Sequence, residues 1–428
     1  MDQRKKIVVV GGGFAGLNFV KRIDKKRFDV TLVDRNNFHS FPPLFYQIAS
    51  SGLEPDSICF PFRRELHKGR ARGVEYRMGA VEQVDMTRKV VVTQFEEIPF
   101  DYLVMATGTT NNFFGNDRLV ESVYTIKSTA QAMRARDEIL DRLERASICS
   151  DPEQRRRLLS FTVVGGGPAG VEIAGALGEM KRYILHRNYP SIPTEDVTIH
   201  LLEGASKLLG AMSPKSQADA ETYLEQLMVD VKLGHVMKDY ADSMVELDDG
   251  EKFYSGMVIW TAGVTGVRVP FSGADLPLGR GGRIEVDEFN RVKGMDDCVF
   301  ALGDICIMTT ADYPGGHPQL AQVAIQQGRT LAANLNRGSF SRPFKYRDKG
   351  TMATIGRNRA VADIGHTHLR GFFAWLAWMF VHLISILGMR NKISVLIDWV
   401  WGYFNYGTSL RILLAPSRFP LKWRWGEK

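Results

Sequence analysis

Two stretches of the chain, 154 residues apart, repeat one pattern: an apolar, β-branched run that enters a triple glycine. Ile7-Val8-Val9-Val10 leads into Gly11-Gly12-Gly13-Phe14-Ala15-Gly16, and Phe161-Thr162-Val163-Val164 leads into Gly165-Gly166-Gly167-Pro168-Ala169-Gly170. Helical sequence follows each turn, and then a second strand that ends in an acid. The acids are Asp34, 18 residues after Gly16, and Glu203, 33 residues after Gly170. In a Gly-x-Gly-x-x-Gly turn the first glycine permits the tight bend and the second lets the backbone approach a pyrophosphate. The third lets the helix pack on its strand, and the helix N-terminus faces the phosphates. Strand, turn, helix and acid-ended strand occur twice in the required order, which predicts a duplicated βαβ unit and two dinucleotide sites.

A chain of 428 residues has room for two or three domains. Its hydrophobic share of 44% and charged share of 24% are those of a globular protein with substantial cores. Disorder and a disulfide-stapled miniprotein are excluded. The four cysteines, Cys59, Cys149, Cys298 and Cys306, form no Cys-x-x-Cys pair, as in a reducing compartment. The apolar run at Ile7 is too short for a signal-peptide core, so no export signal is expected.

The net charge of +7 is uneven: residues 369–428 carry +6 of it and six of the seven tryptophans. Basic charge mixed with tryptophan and aliphatics points to a membrane interface and away from nucleic acid. Gly371 to Met389 is 19 residues without formal charge, about 29 Å as a helix, which is long enough to span a bilayer. Against spanning, Gly371, Ala374, Trp378, His382 and Ser385 recur at helical spacing as a smaller, weaker face. Arg370 on one side and Arg390 and Lys392 on the other leave no charge asymmetry. A helix lying in the interface is expected, with a buried dimer interface as the alternative. His366 and His368 are the only close histidine pair, and no carboxylate or cysteine joins them at ligand spacing. They are expected as solvated surface groups, and no metal site is expected.

Other strands also end at glycine signals: Tyr102-Leu103-Val104-Met105 before Ala106-Thr107-Gly108, and Met257-Val258-Ile259-Trp260 before Thr261-Ala262-Gly263. Val299-Phe300-Ala301-Leu302 precedes Gly303-Asp304; an acid there is either a β-turn residue or an acceptor for a ribityl hydroxyl. A carboxylate at the end of a second strand accepts hydrogen bonds from ribose hydroxyls and repels a 2′-phosphate, so Glu203 argues for NADH over NADPH. Residues 126–158 read as a charged surface connector. Gln322 and Gln326 are i, i+4 and share a helix face. Glu172, two residues past Gly170, either stabilises the helix dipole or takes part in the chemistry.

Two dinucleotide motifs followed by Gly303-Asp304 resemble the two-dinucleotide-binding-domain flavoprotein family over roughly residues 5–365. The resemblance implies an α/β fold with two Rossmann-like domains, for FAD and NAD, to which the basic, tryptophan-rich tail adds a C-terminal amphipathic helical membrane-anchoring segment. The implied domains are 1–112 and 291–368 for FAD, an inserted 113–290 for NADH, and 369–428 for the anchor. It implies that FAD is held by Gly11, Gly13, Phe14, Ala15, Gly16, Asp34, Arg35, Val81, Ala106, Thr107, Gly108, Gly303 and Asp304. NADH is then held by Gly165, Gly167, Pro168, Gly170, Glu203 and Gly263.

Disulfide reductases of that family carry a redox cysteine pair after the second strand, where this chain reads Phe38-His39-Ser40-Phe41-Pro42-Pro43-Leu44-Phe45-Tyr46-Gln47. Sulfide:quinone oxidoreductases also use cysteines. The chain is most similar to the type II NADH dehydrogenases (NADH:quinone oxidoreductases), in three places. These are Phe41-Pro42-Pro43-Leu44-Phe45-Tyr46-Gln47, Ala321-Gln322-Val323-Ala324-Ile325-Gln326, and the aromatic Trp375-Leu376-Ala377-Trp378-Met379-Phe380-Val381-His382-Leu383. That resemblance implies transfer of two electrons from NADH through FAD to a membrane quinone, without proton pumping. Gln322, Gln326 and Glu172 are the implied catalytic residues. It also implies a homodimer bound peripherally to the cytoplasmic face of the cell membrane. A soluble NADH-dependent flavoprotein reductase of another acceptor, or a sulfide:quinone oxidoreductase-like enzyme, remains the alternative.

Overall fold

In the computed structural model, which describes residues 4–295, 297–405 and 411–413, each glycine-bearing strand is the central strand of a five-stranded parallel sheet. A strand covered on both faces must be apolar throughout its buried length. Ile7 to Val10 meet that requirement; Ser160 to Val164 are likewise buried at every position, with Ser160 and Thr162 as polar exceptions.

The first sheet runs Val299–Ala301, Tyr102–Met105, Lys5–Val10, Phe28–Asp34, Val74–Met78. The second runs Tyr124–Thr125, Met257–Trp260, Ser160–Val164, Thr198–Glu203, Asp230–Leu233. Four of the five strands correspond in order, so the repeat read from the glycines extends through most of each sheet. The outermost strand beside Tyr102–Met105 comes last in the chain, whereas the one beside Met257–Trp260 comes before its glycine strand. All pairings within both sheets are parallel.

The chain divides into two compact units. The first consists of Met1–Ser40, Phe60–Thr110 and Val264–Lys349 and contains the first sheet. The second consists of Phe41–Cys59, Asn111–Gly263 and Gly350–Lys428 and contains the second. This division differs from the boundaries drawn from motif order. Residues 264–290 fall in the first unit, where Phe271–Ser272 pairs with Val84 and Asp85, and Ile284 and Glu285 pair with Cys306 and Ile307. Residues 350–368 fall in the second, where Thr351–Thr354 packs on the helix Pro168–Glu179. Residues 41–59 join the second as well, because the short helix Phe45–Ala49 packs on Pro168–Glu179 and on Thr129–Ser147. Thr129–Ser147 is therefore no plain surface connector: Ala132, Ala135, Ile139 and Leu143 are buried along one face.

The uncharged run at 371–389 is not one helix. Gly371–Ser385 ends where Ile386 turns extended and Gly388 takes a positive φ of 78°, and Met389–Asn405 follows. Fifteen residues reach about 22 Å at 1.5 Å per residue, short of a hydrocarbon core near 30 Å. Among the described residues no helix is long and apolar enough to cross a membrane. Ala374 and Trp378 form the buried face, as their spacing predicts, whereas Ser385 is exposed. Phe373, Phe380, Met389, Ile397, Trp401 and Phe404 are all at least 60% exposed. The tryptophans and cations expected to act at 414–428 lie outside the described residues.

Candidate active site

The two glycine turns match bond for bond. Gly11 N donates to Val33 O and Gly165 N to Leu202 O, each at 2.8 Å. Gly12 N donates to Asp34 Oδ2 at 2.7 Å, and Gly166 N to Glu203 Oε2 at 2.5 Å. Gly11 and Gly165 have φ of 104° and 110°, which a side chain would strain, and a Cβ on either would strike the adjacent Ala106 or Ala262 backbone. Gly13 and Gly167 are different. Their φ of −67° and −73° suits any residue, yet a Cβ there would meet nothing within 4 Å. These are open cradles at helix starts, with no side chain capping the first N–H groups. A pyrophosphate fits each: bare backbone faces open space, and an acid anchored beside it is placed for ribose hydroxyls.

In the first unit several of the other expected flavin residues lie around the same turn. Ala106 N donates to Val10 O at 2.8 Å, and Gly108 has open space where a Cβ would stand. A Cβ on Gly303 would lie 3.2 Å from the Cβ atoms of both Ala15 and Ala324, so the Gly-Asp turn sits against the first glycine helix and the helix Ala321–Arg337. Val81 lies at the start of the strand Val81–Asp85 and Arg35 is exposed, so neither is drawn tightly to the turn. Burial raises the Asp34 carboxyl above its ordinary range, and the N–H groups of Gly12 and Asn36 oppose that rise.

Sequence reasoning missed two residues here. Gln327 Oε1 accepts from Gly303 N at 2.7 Å, and the buried His39 joins its Nδ1 to Gly12 O at 2.9 Å. Burial lowers His39 to about 4, so it is a neutral donor that braces the turn. Position beside Gln326 and within Phe38-His39-Ser40 was the only signal either had.

Gln322 and Gln326 do share a face, and both amides grip one segment. Gln326 Nε2 donates to Arg347 O at 2.9 Å while its Oε1 accepts from Arg347 N at 3.0 Å. Gln322 Oε1 accepts from Lys349 N at 3.0 Å, and its Nε2 donates to Asp348 Oδ1 at 3.4 Å.

In the second unit, Glu172 faces inward on Pro168–Glu179. It is 7% exposed and lines a cavity of about 180 Å³. Burial pushes its carboxyl well above the carboxylate range, opposed only by the Thr354 N–H and the nearby Trp378 indole. Among the described residues no group lies in hydrogen-bonding geometry to that buried indole N–H. Two of the aromatic signatures meet in this wall. Tyr46 stands edge-on to Trp378 with centroids 6.4 Å apart, and Trp399 Nε1 donates to Gln47 Oε1 at 2.8 Å. His382 stacks on Trp378 at 4.1 Å and bonds its carbonyl through Nδ1, and burial lowers it to about 4. Arg357 anchors the last helix through the carbonyls of Gly402 and Tyr403. Gly263 closes the strand beside the second turn and packs on Phe114.

His368 departs from expectation. It is held between Asp219, at 2.9 Å from Nε2, and Asp363, at 3.2 Å from Nδ1, and ties the hairpin 360–370 to the helix Pro214–Gln226. No disulfide joins any of the four cysteines, and burial pushes the Cys306 thiol up to about 12.

Residues 5–328 match the pyridine nucleotide-disulphide oxidoreductase family, and residues 349–405 match the NDH2 C-terminal domain. The chain is 34% identical to the type II NADH:quinone oxidoreductase Ndh of Mycobacterium tuberculosis, over 93% of this chain and 88% of that one. Its fold resembles NDH2 from Plasmodium falciparum with a TM-score of 0.88 at 21% identity, covering 96% of this chain and 100% of the other. The sulfide:quinone oxidoreductase of Aquifex aeolicus is further away, at a TM-score of 0.72 and 18% identity over 94% and 96% of the two chains. With two nucleotide turns intact, a C-terminal domain matched separately and a relative aligned nearly end to end, the chain belongs to the type II NADH:quinone oxidoreductase family.

Proposed function

We propose that this chain transfers two electrons from NADH to a membrane quinone by way of FAD. The observation that carries the reading is the pair of matching turns with open cradles at Gly13 and Gly167, in a chain whose second unit also builds an aromatic, carboxyl-lined cavity. FAD belongs in the first unit, on Gly11, Gly13, Phe14, Ala15, Gly16 and Asp34, with Gly303 and Asp304 closing the site. NADH belongs on Gly165, Gly167, Pro168, Gly170 and Glu203. Bound FAD supplies the two-electron carrier, and the chain's own part is to hold donor and acceptor in place and keep water out. NADH oxidation measured with ubiquinone, menaquinone and a disulfide acceptor tests the reading. Quinone is the expected acceptor, and turnover with the disulfide alone would replace it.

Glu203 sets the preference for NADH in this reading. Glu203→Gln keeps an acceptor for Gly166 N but removes the charge that opposes a 2′-phosphate. Discrimination against NADPH should then relax about tenfold, roughly 1.4 kcal/mol of like-charge repulsion at a half-exposed site. Comparable kcat/KM for both nucleotides in the parent would remove this role from Glu203.

Gln322 and Gln326, neighbours on one helix face, are assigned to the quinone carbonyl. Either Gln→Ala change should slow quinone reduction about threefold to tenfold, from about 0.5–1.5 kcal/mol per lost hydrogen bond. Flavin reduction by NADH, followed by stopped flow, should stay near the parent rate. Equal damage to both steps would mean that the two amides serve only to hold residues 347–349.

The docking face is the exposed apolar side of Gly371–Ser385 and Met389–Asn405. More than half of the exposed large apolar side chains among the described residues lie on these two helices. Such a surface, with Arg370, Arg390 and Lys392 around it, suits a helix pair lying in the lipid headgroup region. A homodimer and a place on the cytoplasmic face of the cell membrane belong to the same reading.

A further inference from the structure

Among the described residues after Gly371, Asp398 is the only acid. It sits in the middle of Met389–Asn405, whose outer side is apolar, and its half-buried side chain lines the same cavity as Glu172. Among the described residues no hydrogen bond or ion pair holds its carboxylate. The groups facing it from the packed turn Pro55–Ser57 are acids: Glu54 and Asp56 both oppose its charge. The cations of its own helix are engaged elsewhere, Arg390 lying 3.9 Å from Asp56 and Lys392 donating to the Ile384 carbonyl. Across the cavity stand Glu172, Glu179, Tyr46 and Tyr403, with Arg357 on the carbonyls of 402 and 403 and Arg411 further along the wall. An unpaired, half-buried carboxylate among other carboxyls costs stability. Packing therefore does not explain it.

The chemistry of the proposed function leaves a proton unaccounted for. NADH + Q + H⁺ gives NAD⁺ + QH₂. The hydride of NADH brings both electrons and one proton, so the other proton must come from water. Glu172 is too deeply buried to collect it directly. The cavity, at about 180 Å³, holds about six waters at ~30 Å³ each, enough for a hydrogen-bonded bridge. We propose that Asp398 takes this proton from water and passes it through the cavity to Glu172, as the proton that quinone reduction consumes. Asp398 is then a relay residue acting through Glu172, and the inference rests on the quinone reading above. Burial, with Glu54 and Asp56 beside it, pushes Asp398 up to about 6, close to the range in which a group both gains and gives a proton readily.

Asp398→Asn and Asp398→Glu in the full-length, FAD-loaded enzyme test this, with NADH as donor and quinone or ferricyanide as acceptor. Ferricyanide takes electrons without protons. For Asp398→Asn, flavin reduction by NADH and ferricyanide reduction should match the parent at every pH. Reoxidation by quinone should fall about tenfold or more at pH 8 and much less at pH 5.5, where protons arrive by other routes. Imidazole buffer should restore part of the lost rate, and Asp398→Glu most of it. Stability gives a readout independent of turnover. A carboxyl raised in the folded state is penalised above its folded value and not below its unfolded one. The Asn variant should therefore melt higher than the parent at pH 8 but not at pH 4. A parent that reduces ferricyanide but no quinone overturns the quinone reading and this inference with it. A parent that reduces quinone, with Asp398→Asn its equal at all pH values or equally slow toward ferricyanide, overturns the relay alone.

Discussion

Gly167→Val should give a folded, FAD-loaded protein that has lost at least a hundredfold in apparent affinity for NADH. Gly13→Val, the same change in the matching position, should give a protein without flavin. Gly13 and Gly167 both have backbone angles open to any residue, and a Cβ at either touches no protein atom within 4 Å. The added Cβ therefore meets no protein atom, and the side chain extends into the space where a pyrophosphate approaches the backbone. Losing two charge-assisted hydrogen bonds of about 1.5–3 kcal/mol each costs about 3–6 kcal/mol, which is a hundredfold or more. Gly11 and Gly165 would be poor choices, because their positive φ and close carbonyl neighbours would confuse misfolding with lost binding. Flavin absorbance of the purified variants, NADH titration of the flavin signal and thermal melting are the measurements. If Gly167→Val reduces its flavin with NADH at parental concentrations, the second turn does not hold the nucleotide.

Why those two turns were legible and the cavity was not follows from where their parts lie in the chain. Each turn is local: strand, glycines and helix occupy about fifteen consecutive residues, and the terminal acid completes it through one hydrogen bond to Gly12 or Gly166. Spacing alone carries that information. The braces do not share this property. His39 acts on Gly12 across 27 positions and Gln327 on Gly303 across 24, and neither residue type has any distinctive pattern around it. The cavity draws on residues near 46, 172, 354, 378 and 398. Tyr46 and Trp378 were both quoted in sequence signatures, but nothing in either run indicated that they would face each other. The same holds for the unit boundaries. Residues 264–290 and 350–368 change sides because short strands find partners far away, which no run of glycines announces. The C-terminal run reads as a helix that lies in the interface, and its break is not legible. Composition read it as 19 uncharged residues, and one glycine with positive φ cuts it into two helices.

That break decides how the membrane surface should be tested. Truncation after His368 is a poor experiment. It would remove Ala374, Trp378, Ile386 and Val395, all buried, and the Asn391 amide that donates to the carbonyls of Asp56 and Cys59. Loss of activity would then report a damaged fold. The outer face offers a cleaner change: Phe373, Phe380, Ile397 and Phe404, 60–75% exposed, all replaced by serine. Removing four apolar side chains from an aqueous surface should leave the melting temperature unchanged or slightly higher. Their burial in lipid contributes about 1.5–3 kcal/mol each when complete. Even half of that, summed over four, is about 3–6 kcal/mol and a fall of a hundredfold or more in vesicle partitioning. High salt should release the parent only in part, since it screens Arg370, Arg390 and Lys392 but leaves apolar burial intact. The variant should still reduce ferricyanide and a short-chain, water-soluble quinone at the parent rate. With long-chain quinone in vesicles it should lose most of its activity, because that substrate is reached only from the lipid. If the variant sediments with vesicles as the parent does and reduces their quinone as fast, this face does not dock on lipid, and a second protein surface becomes its better-supported partner.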